Sequence, residues 1–493
     1  MNSFDLLIVG GGINGAAIAR DAAIRGARVL LVEKDDLAGH TSSASSKLIH
    51  GGLRYLEMGE FRLVGEALAE REILLRTAPH IVRPLRFVLP HAPGLRPRWL
   101  IRLGLLAYDL LALRGSLKRS RRVGRGEAGL AAPLRGKGAL LSYWDAWVDD
   151  SRLTILNAVQ AADHGAEIAT RTALLSARRE GEIWRAELSD GREIAAKAIV
   201  NAAGPWVGEV LERLSETSSS RARLVKGSHI VVPRLWKGDH AYILQQPDRR
   251  VVFALPFQGG FTLIGTTDLP VDRPEDAAIT AGEKSYLCEA ANLYFERQVA
   301  PADLIWSYSG IRSLYDDGSA EARKVTRDYH LELDADLGPK LLSVFGGKIT
   351  TARALAQEAV DRLGIEGRRS TALMALPGGD IFPAYLDWLN GLAAWMPGEM
   401  IARMSQAYGT RLREMIGDGA AIEDLGRHFG CGLYEREVDW LVAREFARNA
   451  EDVLWRRTKL GLDFDAAGVK ALEGYLLRYA ISTGSMATLD ERS

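Results

Sequence analysis

Asp5-Leu-Leu-Ile-Val-Gly10-Gly-Gly12-Ile-Asn-Gly15 is a short apolar run that passes into the spacing Gly-x-Gly-x-x-Gly. The small-residue segment Ala16 to Arg25 follows, then Arg28-Val-Leu-Leu-Val32 and Glu33. Strand, glycine turn, helix, strand and acid, in that order, are what a dinucleotide site requires. Gly10 permits the tight turn, Gly12 lets a pyrophosphate approach the backbone, and Gly15 lets the helix settle on the sheet. The helix N-terminus then faces the phosphates with unpaired N–H groups and the positive end of its dipole. Glu33 is expected to accept hydrogen bonds from the adenosine ribose hydroxyls. An acid there disfavours a 2′-phosphate, so NADP is disfavoured while FAD and NAD both fit.

A chain of 493 residues has room for two or three domains and a large core. Lys+Arg and Asp+Glu balance at 63 each, so no global charge argues for nucleic acid. The two cysteines, Cys288 and Cys431, are far apart and lack zinc-ligand spacing. Both are expected to be buried small hydrophobes, in a reducing compartment without structural disulfides, and no metal site is expected. The apolar run Leu6 to Val9 is far too short for a signal peptide. No stretch approaches the roughly 20 apolar residues needed to span a bilayer. The expectation is a protein of the cytoplasm or of the cytoplasmic face of a membrane.

Moving outward from the glycine turn, Gly39-His-Thr-Ser-Ser-Ala-Ser-Ser-Lys47 is rich in hydroxyls and reads as a loop. Helical periodicity marks Phe61 to Arg76 and Thr154 to His164. A meander from Glu167, with turns at Glu180-Gly181 and Asp190-Gly191, leads to the strand Ala198 to Ala203 and the turn Gly204-Pro205. Residues 221 to 315 have a different, β-rich texture. There His229–Pro233, Arg250–Pro256 and Phe261–Gly265 are expected to be adjacent antiparallel strands. Strand and helix return at Leu341–Phe345 and Thr351–Leu363; beyond a linker at Leu376-Pro-Gly-Gly379 the pattern is almost wholly helical. The predicted fold is α/β: a discontinuous Rossmann-like FAD-binding domain, a β-rich substrate domain and an all-helical C-terminal domain. Segments 1–78, 140–215 and 318–370 are assigned to the first, 79–139 and 216–317 to the second, and 380–493 to the third. A nicotinamide dehydrogenase usually keeps its Rossmann half contiguous, so this layout favours a flavoprotein.

Four clusters carry the residues suited to chemistry. In Ser45-Ser46-Lys47-Leu-Ile-His50-Gly-Gly-Leu-Arg54-Tyr55, glycines beside His50 let a flat ligand reach the backbone, and His50 can accept a proton near neutral pH. A loop histidine bonded to a carbonyl is the plainer alternative. Lys226-Gly-Ser-His229 places a second histidine at the entrance to an apolar strand, as acid/base group, substrate donor or structural residue. Tyr308-Ser-Gly-Ile-Arg312 reads as a Gly-x-Arg turn ending a strand, with a guanidinium suited to phosphate or carboxylate; Arg327, beside Asp328, reads as a paired structural charge. In Phe345-Gly346-Gly347-Lys348-Ile-Thr350-Thr351 two glycines allow close approach, a threonine is expected to cap the next helix, and Lys348 adds a cation for flavin or substrate. Separately, Arg96 to Arg114 is very apolar with basic flanks, and Lys118, Arg119, Arg121, Arg122 and Arg125 follow. Such a segment is either a helix lying in a membrane interface or a buried core helix followed by a solvated basic loop.

Taken together, these stretches closely resemble the FAD-dependent glycerol-3-phosphate dehydrogenases of bacteria, the aerobic, quinone-reducing type. The resemblance spans nearly the whole chain and rests on Gly10–Gly15, Thr41–Leu56, Trp147–Leu153, Lys226–Pro233, Gly265-Thr-Thr-Asp268, Tyr308–Arg312, Ser343–Lys348 and Leu454-Trp-Arg-Arg-Thr-Lys459. Ser313 departs from it, since proline is expected after the arginine, and this is expected to loosen the turn without removing Arg312. The resemblance implies oxidation of sn-glycerol 3-phosphate to dihydroxyacetone phosphate, with FAD as cofactor and a membrane quinone as electron acceptor. It implies a monotopic seat on the cytoplasmic membrane surface, favouring the interfacial reading of residues 96–125; a homodimer is compatible with it, and no nucleic-acid partner is implied. His50 is the expected base with His229 its rival, Arg312 and Arg54 hold phosphate, and Lys348 and Tyr55 orient the substrate. Cofactor contacts are expected from Gly10, Gly12, Gly15, Glu33, Ser45, Ser46, Gly204, Gly346, Gly347, Lys348 and Thr350. Three alternatives stay open: a soluble glycerol-3-phosphate oxidase producing hydrogen peroxide, a flavin-dependent amino- or hydroxy-acid oxidase, and a non-catalytic nucleotide-binding protein.

Overall fold

A computed structural model of the chain describes residues 2–482 apart from 92–95, 114, 137, 217, 219, 249, 317–327 and 337, with the backbone but not the side chain of Arg54. Arg114 and Arg327 therefore lie outside the described residues. The opening stretch forms the strand Asn2–Val9, the helix Ile13–Ile24 and the strand Val29–Glu33. Asn2–Val9 pairs in parallel with Val29–Glu33 on one side and Glu193–Asn201 on the other. Lys340–Phe345 adds a further parallel strand beside Glu193–Asn201, and Glu167–Thr170 one beside Val29–Glu33. Stretches far apart in sequence thus complete one eight-stranded sheet. Its central strands are covered on both faces, which is why Leu6-Leu7-Ile8 and Val29–Val32 run without polar alternation. On one face pack the helices Ile13–Ile24, Asp150–Asp163 and Ala352–Leu363, the first through Ala16, Ala19 and Ala22. Gly10, at φ +114°, makes the turn in a conformation that side chains rarely adopt; a Cβ on Gly15 would sit 1.9 Å from the Gly10 carbonyl oxygen.

A second, ten-stranded sheet carries the β-rich texture. Ala222–Pro233 runs antiparallel to both Phe261–Gly265 and Trp306–Tyr315, and Val251–Phe257 lies on the far side of Phe261–Gly265. The sheet continues through Ala241–Gln245, Val82–Pro90, Leu140–Val148 and Leu48–Ile49. The last two correct the sequence reading, because both fall in segments assigned to nucleotide binding. Leu140–Val148 is the antiparallel partner of Val82–Pro90 along its full length, a pairing that apolar content alone does not reveal. A second correction concerns Arg312: Gly310-Ile-Arg312 lies inside the strand Trp306–Tyr315, not at a turn, and Ser313 faces Leu224 in the ladder. Gly310 is small because Ala44 packs against it, where a Cβ would meet the Ala44 methyl at 2.9 Å.

The C-terminal part packs the helices Pro383–Gly391, Gly398–Tyr408, Arg411–Ile416, Glu435–Glu445 and Ala466–Ser482 around Met404, Leu412, Leu433, Leu441 and Leu472. It is not wholly helical. His428–Gly430 pairs with Leu433–Tyr434 across the Gly430-Cys431-Gly432 turn, which leaves Cys431 exposed; of the two cysteines only Cys288 is buried. Among the described residues no helix is long and apolar enough to cross a membrane.

Candidate functional site

A cavity of about 370 Å³ runs from the glycine turn to the junction of the two sheets. Gly10, Gly12 and Glu33 line one end; His50, Tyr55, Arg312, Gly346, Gly347, Lys348 and Thr350 line the other, with Ser45, Ser46 and Gly204 between them. Gly15 lies behind the wall, where its role is helix packing. The structure therefore brings together nearly all the residues singled out from sequence.

At the near end Glu33 is buried and accepts the backbone N–H groups of Gly11 (2.6 Å) and Asp35 (2.8 Å). Burial pushes its carboxyl above the ordinary range, against the pull of those two donors. Each oxygen keeps a lone pair for a ribose hydroxyl. Ser42, which sequence reasoning passed over, accepts the Ile13 N–H at 2.9 Å at the start of the first helix. Asn14, inside the glycine motif itself, donates its side-chain amide to the Gly346 carbonyl at 3.1 Å and so links the two ends.

The hydroxyl-rich loop is set by a buried ion pair. Lys47 Nζ lies 2.8 Å from Asp150, and Asp150 also accepts the Ser45 hydroxyl at 2.8 Å. His229 does not line the cavity. Its strand begins at Ala222, so it sits mid-strand, with Nε2 2.9 Å from the Ser46 hydroxyl and the ring stacked on Tyr308 at 4.8 Å. Burial, reinforced by the charges of Arg312 and Lys47, holds His229 well below the usual histidine range, so it is neutral at neutral pH.

At the far end Lys348 Nζ lies 3.9 Å from the centroid of the Tyr55 ring. Arg312 pairs with Asp268 at 2.5 Å and donates to Thr266 at 3.2 Å. Asp268 closes the Gly265-Thr-Thr-Asp stretch, the signal that ties this acid to the site. The expected threonine cap is not made. A 3₁₀ turn, Ile349–Thr351, precedes the helix Ala352–Leu363, and the Thr350 hydroxyl accepts the His50 N–H at 3.4 Å instead.

His50, Tyr55, Phe253 and Thr266 also border a second, largely apolar cavity of about 390 Å³. Its outer wall is the helix Arg98–Leu111, through Leu100, Leu103 and Ala107. That helix buries Leu105 and Tyr108 but leaves Trp99 68% exposed, Leu103 56% and Leu106 54%. Lys118, Arg119, Arg121, Arg122 and Arg125 are exposed beyond it. A buried core helix is thereby excluded; this is an amphipathic helix with an apolar outer face.

A fold and cavity of this kind define a flavin-dependent oxidoreductase, and comparison with known proteins agrees. The chain belongs to the FAD dependent oxidoreductase family, which matches residues 5–362, so FAD is its cofactor; the C-terminal domain of alpha-glycerophosphate oxidase matches residues 369–476. Within that family it stands with the glycerol-3-phosphate dehydrogenases. It is 50% identical to the glycerol-3-phosphate dehydrogenase of Pseudomonas aeruginosa, over 96% of this chain and 95% of that protein. It is also 48% identical to the D-erythritol 1-phosphate dehydrogenase of Brucella abortus, over 92% of this chain and 94% of that one. The crystal structure of the glycerol-3-phosphate dehydrogenase from Bacillus halodurans, complexed with FAD, matches with a TM-score of 0.75 and 26% identity, covering 99% of this chain and 92% of that one.

Proposed function

We propose that this protein oxidises the C2 hydroxyl of sn-glycerol 3-phosphate to the ketone of dihydroxyacetone phosphate and passes the electrons to a membrane quinone. The observation that carries the reading is the far end of the FAD cavity, where an imidazole, a phenol and two cations converge on a space suited to a small anion. The left-handed turns at Gly10 and Gly346-Gly347 line the two ends of a cavity that a flat two-ended cofactor would occupy. FAD, when bound, supplies a two-electron acceptor for the C2 hydride. His50 takes the hydroxyl proton. Arg312 and Lys348 hold the phosphate, with Arg54; the planar Arg312 fork, oriented by its pairing with Asp268, suits bidentate recognition of phosphate oxygens. Tyr55, clamped beneath Lys348, walls the substrate and limits water. The helix Arg98–Leu111 lies in the membrane surface, and the second, apolar cavity gives a quinone a route from that surface to the His50 end.

A second reading has one observation in its favour, the 48% identity to a D-erythritol 1-phosphate dehydrogenase: the preferred substrate is then a four-carbon polyol phosphate. Anaerobic mixing separates the two. Glycerol 3-phosphate is expected to bleach the flavin, and faster than D-erythritol 1-phosphate; the reverse order favours the second reading. His50→Asn is expected to slow bleaching by about 10²–10⁴-fold, and a wild-type rate in that variant removes His50 as the base. Arg312→Ala is expected chiefly to raise the substrate concentration needed. Turnover with a ubiquinone analogue exceeding that with oxygen is expected; the opposite result makes the protein an oxidase.

A further inference from the structure

One residue of the amphipathic helix points the other way. Tyr108 is 2% exposed, and its hydroxyl accepts the Gly51 N–H at 2.9 Å while donating to Asp145, 2.8 Å from each carboxylate oxygen. Asp145 is held in turn by Arg71 at 2.7 Å, and Arg71 by Glu72 at 2.9 Å. Neither Tyr108, Asp145 nor Arg71 lines the FAD cavity or the apolar one. Gly51, however, directly follows His50. A Cβ at Gly51 would lie 2.9 Å from the Tyr108 ring and hydroxyl, so only glycine lets the phenol reach this amide.

Two successive amides around His50 are therefore anchored to different parts of the molecule. The His50 N–H goes to Thr350, beside the flavin end of the cavity, and the Gly51 N–H goes to the helix whose outer face is apolar and exposed. Packing alone does not call for this arrangement. Phenylalanine at 108 would fill the same space against Tyr143, but would leave the buried Gly51 N–H and the Asp145 carboxylate without this partner. Burial pushes the Tyr108 hydroxyl well above its ordinary range, so at neutral pH it keeps its proton and the direction of both hydrogen bonds is fixed.

We propose that Tyr108 is a positioning residue that ties the seat of the membrane helix to the backbone aiming His50. This rests on the membrane and base roles proposed above. Lipid that grips the outer face stabilises the helix with Tyr108 turned inward, and so favours the state in which Gly51, and with it His50, is held.

Tyr108→Phe keeps the ring and removes the hydroxyl. The FAD-loaded wild type and variant are compared with vesicles of phosphatidylglycerol and phosphatidylcholine, by co-sedimentation, hydrogen exchange over residues 48–56 and steady-state kinetics with glycerol 3-phosphate. The wild type is expected to co-sediment, and its Gly51 exchange to slow and kcat to rise on vesicles. The variant is expected to co-sediment equally, to exchange Gly51 about tenfold faster, and to show kcat about fivefold or more lower with KM nearly unchanged and no vesicle response. A variant that matches wild type in exchange and kcat overturns the proposal. So does a wild type that binds vesicles without change in Gly51 exchange, a measurement that stands even if the variant fails to fold. A wild type that does not bind vesicles at all overturns the membrane reading itself.

Discussion

His229 lies one hydrogen bond behind the cavity wall, with Ser46 on its edge and Tyr308 against its face. Gly265 closes the remaining side so tightly that a Cβ there would lie 2.0 Å from the ring. The consequence is a folded-state pKa far below that of an unfolded histidine near 6.5. Below that pH the unfolded chain takes up a proton that the folded chain refuses, so stability falls as pH falls. The loss from this one residue is about 1.4 kcal/mol per pH unit. Urea unfolding of FAD-loaded protein between pH 5 and 7 is expected to show a shallower acid loss for His229→Gln than for wild type. His80 and His240, held at about 3 and about 4 chiefly by burial, keep their share of the slope. His50 and His229 show what was legible at this scale. Both sit in glycine-containing stretches and both looked like proton acceptors; burial separates them, and burial comes from strands that pair across long sequence distances. Asn14, Ser42 and Tyr108 were missed for a similar reason, since each gains its role from a partner that local sequence does not name.

At the scale of elements, the helix Arg98–Leu111 was legible in composition but ambiguous in setting, because an apolar segment looks alike against a core and against a bilayer. The exposed face excludes the core and supports the proposed membrane seat, which vesicle binding tests. Leu103→Ser with Leu106→Ser removes about 1.5–3 kcal/mol of apolar transfer per side chain from membrane binding. Vesicle affinity is expected to drop about tenfold or more, while the melting temperature in solution falls by only a few degrees, because more than half of each side chain is already in water. Raising the salt concentration is expected to weaken wild-type binding, through the exposed basic run that follows. The Gly-x-Arg motif was misread at this same scale. A glycine that permits close packing and a glycine that permits a turn are identical in sequence, and only the register with Ala222–Pro233 distinguishes them.

Across the whole molecule, the C-terminal domain grips the cofactor half through buried charge. Arg456 Nε meets Asp36 at 2.5 Å, Arg457 reaches the other Asp36 oxygen at 2.9 Å, and Arg171 meets Asp452 at 2.8 Å. Arg152 pairs with Glu445, and Lys459 donates to Ser151, next to the Asp150 that holds Ser45. Arg456 and Arg457 sit in a π-helical turn, Asp452–Arg457, that overlaps Leu454-Trp-Arg-Arg-Thr-Lys459. That stretch stood out in the sequence, but its partner is 421 residues away and had no local mark. Asp36 leads into Ala38 and Gly39 of the cavity wall, so losing the grip loosens the cofactor as well as the domain. Arg457→Ala is expected to cost about 3–5 kcal/mol, read from unfolding of the loaded protein. Its FAD is expected to dissociate measurably faster in a fluorescence release assay, with Arg457→Lys intermediate in both.

The strand Lys340–Phe345 occupies the edge left open beside Ala198–Asn201, and the glycine pair after it completes the FAD cavity. On the ribosome this order sets a schedule. About 140 residues must be made after Asn201 before its neighbour exists, roughly 7 to 30 s at about 5–20 residues per second. Throughout that interval the nascent chain carries an apolar edge, Ala198-Ile-Val, that any other extended segment can pair with. FAD present early in synthesis meets only half a site. Loading is therefore confined to the close of translation, and yield in a fast-expressing host depends on how well that edge is shielded until then.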